Sequence, residues 1–345
     1  MKEKILVTGG TGFIGSHTAV ELQEEGFEVI IVDNFSNSEP FVAERIAAIT
    51  GIKPVVYPFD LCDAASLDRL FREEGSISAV IHFAALKAVG ESVLKPLEYY
   101  RNNLVSLINI LNSMNDHHVP CMVFSSSCTV YGQPEKLPVT EADPIAPALS
   151  PYGNTKQISE EVIRDAVMSS QGTMKAVSLR YFNPIGAHPS ALIGELPRGV
   201  PENLVPYITQ TAIGLRKELK IFGNDYNTPD GTAIRDYLHV VDLAKAHVVS
   251  LKRLLGNSSV KPYELFNLGT GTGVSVMEVV RSFERVTGMK VPFTLAARRK
   301  GDIEKIWADP SLANRELGWK TESSLDDAML TAWNWEKKLR ETGMK

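Results

Sequence analysis

Residues 4–17, "KILVTGGTGFIGSH", decide how the chain begins to fold. "KILVTG" (4–9) is apolar on consecutive positions, the pattern of a strand buried on both faces. Gly9, Gly12 and Gly15 follow in a G-x-x-G-x-x-G arrangement that opens a helical stretch, Gly15–Glu25. Glycines permit the tight turn and let backbone approach a pyrophosphate, which the positive helix N-terminus favours. The next strand, "EVIIVD", ends on Asp33, 18 residues after Gly15. That acid is placed to accept hydrogen bonds from an adenosine ribose, which favours NAD over NADP. No Lys-Ser or Lys-Thr follows the glycines, so a phosphate-transfer P-loop is disfavoured.

Outward from this turn, short apolar runs alternate with helix-length segments. "PVVYPFD" (54–60), "AVIHFAA" (79–85), "CMVFSSS" (121–127) and "AVSLRYF" (176–182) read as further strands. Ser66–Glu74, Leu97–Asp116 and Pro151–Ser169 read as helices between them. The alternation predicts an α/β fold with a doubly wound (Rossmann) parallel sheet. From Asn183 proline and glycine become frequent ("NPIGAHPSALIGELPRGVP"), which predicts a long loop. We therefore expect a dinucleotide-binding domain over 1–182, with returning segments from about 230–270. A smaller mixed α/β substrate lobe is expected mainly over 183–345.

The 345 residues are 44% hydrophobic and 22% charged, an ordinary globular composition. Net charge is −5 without a long basic block, which disfavours nucleic acid or an anionic membrane as partner. Cys62, Cys121 and Cys128 are scattered, with neither C-x-x-C nor metal-ligand spacing, so no metal site and a reducing compartment are expected. "MKEKILVTGG" has no signal-peptide pattern, and no apolar run approaches transmembrane length. A cytoplasmic location is the expectation.

"SPYGNTKQISEE" (150–161) places Tyr152 and Lys156 on one helical face behind an N-cap serine and an N1 proline. An ammonium near a phenol favours the phenolate, which suits a general base. The same spacing also serves an ordinary amphipathic contact. In "FSSSCTVYG", Ser125, Ser126 and Ser127 end a strand, where ligand crevices open in such sheets. Taken singly, such serines belong equally to a turn. Together, the glycine turn, strand-end serine and Y-x-x-x-K helix favour catalysis.

With "DNFSNS", "VIHFAALKAVGESVLKPLEYY", "RYFNPIGAHPS", "IFGNDYNTPDGTAIRDYLHV" and "WAD", these blocks resemble the extended short-chain dehydrogenase/reductase family over nearly the whole chain. Within it, the resemblance is to enzymes that invert C4 of UDP-hexoses with tightly held NAD. It implies interconversion of UDP-galactose and UDP-glucose, with Tyr152 as base, Lys156 lowering its pKa and Ser127 relaying the proton. It also implies cofactor contacts at Phe13, Ile14, Asp33, Asn34, Asn37, Asp60, Leu61, Phe83, Ala84, Lys87, Asn102 and Phe182, beside the glycines. A homodimer through the Leu97–Asp116 and Pro151–Ser169 helices is implied as well.

On the substrate side the resemblance implies Asn183, Asn203 and Leu204 as sugar and diphosphate contacts, and Arg235 and Arg299 as phosphate contacts. Leu219, Phe222 and Tyr237 would surround the uridine, and Asp302 would meet its ribose. Ile306 stands where family members limit space at the sugar C2 group, and its intermediate bulk implies some acceptance of N-acetylated UDP-sugars. A 4,6-dehydratase would carry an acidic pair after the strand-end Ser/Thr, whereas Cys128 and Thr129 follow Ser127. A UDP-sugar epimerase specific for N-acetylhexosamines or uronates is the alternative. A non-catalytic NAD-binding protein is the remaining one, and it has no need of Ser127, Tyr152 and Lys156 together.

Overall fold

The computed structural model describes residues 2–299 and 302–343. Its centre is a seven-stranded, all-parallel sheet built from β1 (Lys4–Thr8), β2 (Glu28–Val32), β3 (Val55–Tyr57), β4 (Ile77–His82), β5 (Cys121–Ser125), β6 (Lys175–Tyr181) and a seventh strand, Tyr263–Leu268. The spatial order is seventh-β6-β5-β4-β1-β2-β3. The chain thus runs outward from β1 through β2 to β3, then returns to lay β4 on the other side of β1. In sheets wound this way the crevice beyond the strand ends at β1 and β4 is where ligands bind. Register brings Thr8, Val32 and His82 level at that edge.

Strand periodicity explains why the sheet needs cover on both faces. Ile5 and Val7 pack into one core cluster, which also holds residues of helix α1 (Phe13–Glu24) and of the Val240–Leu255 helix. Leu6, between them, joins the opposite cluster with residues of the helices Ala64–Glu74, Pro96–Asp116 and Pro151–Ser169. Successive side chains point to opposite faces, so a run of consecutive apolar residues supplies two cores at once.

"PVVYPFD" pairs only over Val55–Tyr57. Pro54 and Pro58 bracket it, and proline has no N–H for a ladder, so the edge strand stops at three residues. The proline-rich stretch after Asn183 is also less irregular than its composition predicts. Asn183–Ile185 pairs in parallel with Tyr237–His239, and an isolated bridge joins Ala187 to Gly194. The C-terminal half closes on its own core, in which Ile185, Ile208, Leu219, Ile221, Phe283, Met329 and Trp333 pack together.

Candidate active site

At the β1 turn, Gly9 has φ +67°, and a Cβ there would lie 2.9 Å from the Ala84 backbone nitrogen. A Cβ on Gly15 would sit 2.2 Å from the Gly9 carbonyl oxygen. Both positions therefore require glycine for the turn to close. Gly12 is the N-cap of helix α1 and supplies no side-chain cap, so the first-turn N–H groups keep their capacity to bind an anion. Phe13 and Ile14 form that first turn.

Asp33, buried at the end of β2, accepts from the Thr11 amide (3.1 Å), the Phe35 amide (2.9 Å) and the Ser38 hydroxyl (2.8 Å). Those donors fix the carboxylate while four lone-pair sites leave room for a ligand hydroxyl. Asn34 donates to Asp60 (3.1 Å), and Asp60 in turn caps the Cys62 amide. Leu61 is buried beside them, Asn37 is exposed, and Asn102 donates to Asn103 (3.0 Å). Phe83 and Ala84 continue from β4 past the turn, and Phe83 packs on His247 at a tilt of 50° with ring centroids 4.7 Å apart. Lys87 is exposed, 3.8 Å from Glu195. Phe182, just after β6, is buried.

The Pro151–Ser169 helix begins with its Ser150 hydroxyl accepting from the Gly153 amide (3.1 Å). That cap sets Tyr152 in the first turn and Lys156 one turn on. Lys156 is buried and donates to the Ser125 carbonyl oxygen at 2.6 Å. Its ammonium lies 4.8 Å from the Phe124 ring centroid and 5.9 Å from that of Tyr152. Ser127 opens a short 3-10 turn and accepts from both the amide (3.2 Å) and the hydroxyl (3.0 Å) of Thr129. Its own proton remains free to donate, and a hydrogen bond from it lowers the Tyr152 pKa.

Burial nevertheless dominates at Tyr152 and drives its phenol well above the ordinary value, with Tyr181 adding to the rise. Burial likewise pushes Lys156 down to about 8, against Glu160, which raises it. Lys156 keeps its ammonium on the Ser125 carbonyl and 5.9 Å from the Tyr152 ring centroid, while desolvation is the largest influence on the phenol.

Behind the helix lies a buried network that residue spacing does not reveal. Glu160 receives the Arg180 guanidinium (Nε to Oε1, 2.9 Å) and the Ser126 hydroxyl. Arg180 also donates to Tyr131 (2.9 Å), which donates to Asn267 (2.6 Å). Its signal is the one charged residue, Arg180, inside the strand-like run "AVSLRYF".

In the C-terminal lobe, the Arg235 side chain donates to the Ile234 carbonyl (2.8 Å) and stands 3.6 Å from the Asp302 carboxylate. Arg299 stacks on Phe222 at 4.0 Å, and Asn203 donates to Glu195 at 2.5 Å. Asn183 is half-buried, its amide bonded to the Asp236 carbonyl (3.0 Å). Leu204 is half-buried behind Asn203, and burial pushes the Tyr237 phenol up to about 12. Leu219 packs in the lobe core rather than on an open surface. Ile306 is 2% exposed and packs with Val130, Tyr131, Val139 and Phe182, in register with Arg235. No group of three or more potential metal ligands occurs among the described residues.

A doubly wound sheet with a glycine turn, an acid after β2 and a Tyr–Lys–Ser set at its edge defines an extended short-chain dehydrogenase/reductase. Residues 6–331 match the family model described as GDP-mannose 4,6 dehydratase. The chain is 50% identical to a UDP-glucose 4-epimerase of Bos taurus, over 98% of this chain and 97% of that one. It superposes with a TM-score of 0.95 on a UDP-glucose 4-epimerase of Stenotrophomonas maltophila with bound NAD and formylated UDP-arabinopyranose, at 47% identity over 99% of each chain. A UDP-Glc/GlcNAc 4-epimerase of Campylobacter jejuni matches at 36% identity and a TM-score of 0.83, over 97% of this chain and 99% of that one. The chain belongs to the UDP-glucose 4-epimerase family.

Proposed function

We propose that the protein reversibly interconverts UDP-galactose and UDP-glucose at C4, with NAD as its resident cofactor. The observation that carries this reading is the meeting of Ser127, Tyr152 and Lys156 at the sheet edge, in a chain half identical to 4-epimerases.

The residues present suit a dinucleotide. The uncapped N-terminus of α1, with Phe13 and Ile14, fits a pyrophosphate. Asp33 fits the adenosine ribose, with Asn34, Asn37, Asp60 and Leu61 around the adenine end and Phe83, Ala84, Lys87, Asn102 and Phe182 further along. When bound, NAD would supply the hydride acceptor, and then the hydride donor, for C4 of the sugar. Tyr152 holds the 4-hydroxyl proton at its phenol oxygen and gives it back. Because burial raises that phenol's pKa, it needs positive charge close by, from Lys156 and the oxidised nicotinamide. Ser127 orients the proton between sugar and phenol. Asn183, Asn203, Leu204, Arg235 and Arg299 would hold the sugar diphosphate, Leu219, Phe222 and Tyr237 the uridine, and Asp302 its ribose. The finer reading adds N-acetylated UDP-sugars, since Ile306 leaves more space than a tyrosine. A homodimer in the cytoplasm completes it. No helix among the described residues is long and apolar enough to cross a membrane.

The test is proton NMR of UDP-galactose with purified protein. The expected outcome is a UDP-glucose mixture, and a rate cut by about 10²–10⁴-fold in Tyr152→Phe. Unchanged UDP-galactose with NAD supplied would sink the reading. UDP-N-acetylglucosamine, run alongside, decides the N-acetyl extension separately.

A further inference from the structure

The segment between the strand Asn183–Ile185 and the helix Leu204–Ala212 is anchored to the C-terminal lobe. Trp335 donates its indole N–H to the Glu195 carbonyl (2.9 Å), and Arg216 donates to the Gly199 carbonyl (3.0 Å). Between these anchors Arg198 reaches the other domain. Its guanidinium donates to the carbonyls of Ser36 and Ser38 and to the Glu39 carboxylate, each at 2.8 Å. The loop it grips begins at Asp33, whose carboxylate holds Phe35 and Ser38. Phe35 sits at φ +55°, a left-handed conformation that costs a bulky residue energy and persists only when neighbours impose it.

We propose that Arg198 is a retention clasp for NAD: by tying the C-terminal lobe to the Asp33–Glu39 loop, it keeps the adenosine end of the cofactor from leaving. The inference rests on the NAD-dependent reading and adds a residue to it. A reaction that regenerates its cofactor every cycle gains from slow cofactor loss. A planar guanidinium fork can bridge two carbonyls and a carboxylate at once, which a lysine ammonium does less well. An isolated exposed ion pair contributes little. Here, however, all three charge-assisted bonds converge on one loop across a domain boundary.

The test measures NAD loss from the holoenzyme. Protein loaded with NAD is passed through gel filtration, and the nucleotide still bound is followed over time by absorbance after denaturation. Arg198→Ala is expected to lose NAD roughly tenfold faster, about 1.4 kcal/mol. Its kcat at saturating NAD should be unchanged, because Arg198 touches neither the reacting tyrosine nor its serine. Arg198→Lys should fall between, and Glu39→Gln should show a smaller increase. These two milder changes decide the matter should Arg198→Ala fold poorly. Equal loss rates in wild type and all variants would overturn the clasp while leaving the epimerase reading standing. A wild-type protein that binds no NAD would overturn both.

Discussion

Glu160 shows what one buried carboxylate does for the residues in front of it. It lies four residues after Lys156, takes the Arg180 fork and the Ser126 hydroxyl, and raises the Lys156 pKa against burial. Replacing it with glutamine keeps the shape, but it strands the Arg180 charge in a dry site. Breaking a buried pair from one side costs about 3–5 kcal/mol. Loss of the anion also lowers the lysine pKa further, so the ammonium is lost at a lower pH. We therefore expect Glu160→Gln to melt earlier and to shift the alkaline limb of its kcat/KM profile towards lower pH. A lower melting temperature with an unmoved limb would make Glu160 purely structural. At this scale the sequence was legible where local rules act. Ser150, Pro151, Tyr152 and Lys156 follow from caps and i,i+4 spacing. Arg180, Tyr131 and Asn267 were not legible, because their meeting depends on contacts over as many as 136 residues. The Lys156 bond to the Ser125 carbonyl was not legible for a related reason. Spacing puts two residues on one face, but side-chain torsions and competing acceptors decide where the ammonium goes.

Elements were recovered where composition and boundary signals agreed. The Pro151–Ser169 helix runs as its cap predicts. β3 was overextended because apolar residues outvoted the prolines bracketing it. The short helix Val89–Leu94 gave no signal, for Val93 and Leu94 face solvent and break the periodicity. That exposure continues along the next helix, where Leu97 (82%), Val105 (36%) and Ile108 (44%) point outward. At 100° per residue they share one face, and it is not the face carrying Leu107, Ile110 and Met114 into the core. Helices Pro96–Asp116 and Pro151–Ser169 pack against each other, and Met168 of the second is exposed as well. The proposed homodimer would cover this stripe. Sedimentation velocity is expected to give twice the 37.9 kDa chain mass, and the double change Leu97→Glu with Ile108→Glu to give the single mass with unaltered circular dichroism. A wild-type monomer, or a double variant that stays dimeric, would rule this surface out.

Across the whole molecule, the core on one sheet face is closed by residues no local rule could pair. The Val240–Leu255 helix packs on α1, and the strand after it completes a sheet begun at residue 4. The sequence leads one to expect a return over about 230–270, whereas the edge that strand joins is a matter of topology. This joint also carries an acid-sensitive element. His247 in that helix and His17 in α1 each bond a backbone carbonyl through Nδ1, at 2.8 Å to Leu243 and 2.7 Å to Phe13. Both leave Nε2 buried with no partner, so a second proton would have no acceptor. Burial accordingly pushes His17 down to about 3 and His247 to about 4. His82, buried at the end of β4, falls to about 3 for the same reason. In the unfolded chain these rings protonate near pH 6.5. Between pH 6.5 and about 4 the unfolded state therefore binds protons that the native state refuses. Stability is complete above pH 6.5 and falls as the pH drops through that window, by about 1.4 kcal/mol per pH unit for each histidine. The urea midpoint should decline steeply from pH 6.5 to 5. In His247→Gln, which has no proton to take up, the decline should be shallower by close to one proton's share. Parallel slopes in wild type and variant would mean that His247 is not held neutral and that carboxylates alone govern the acid transition.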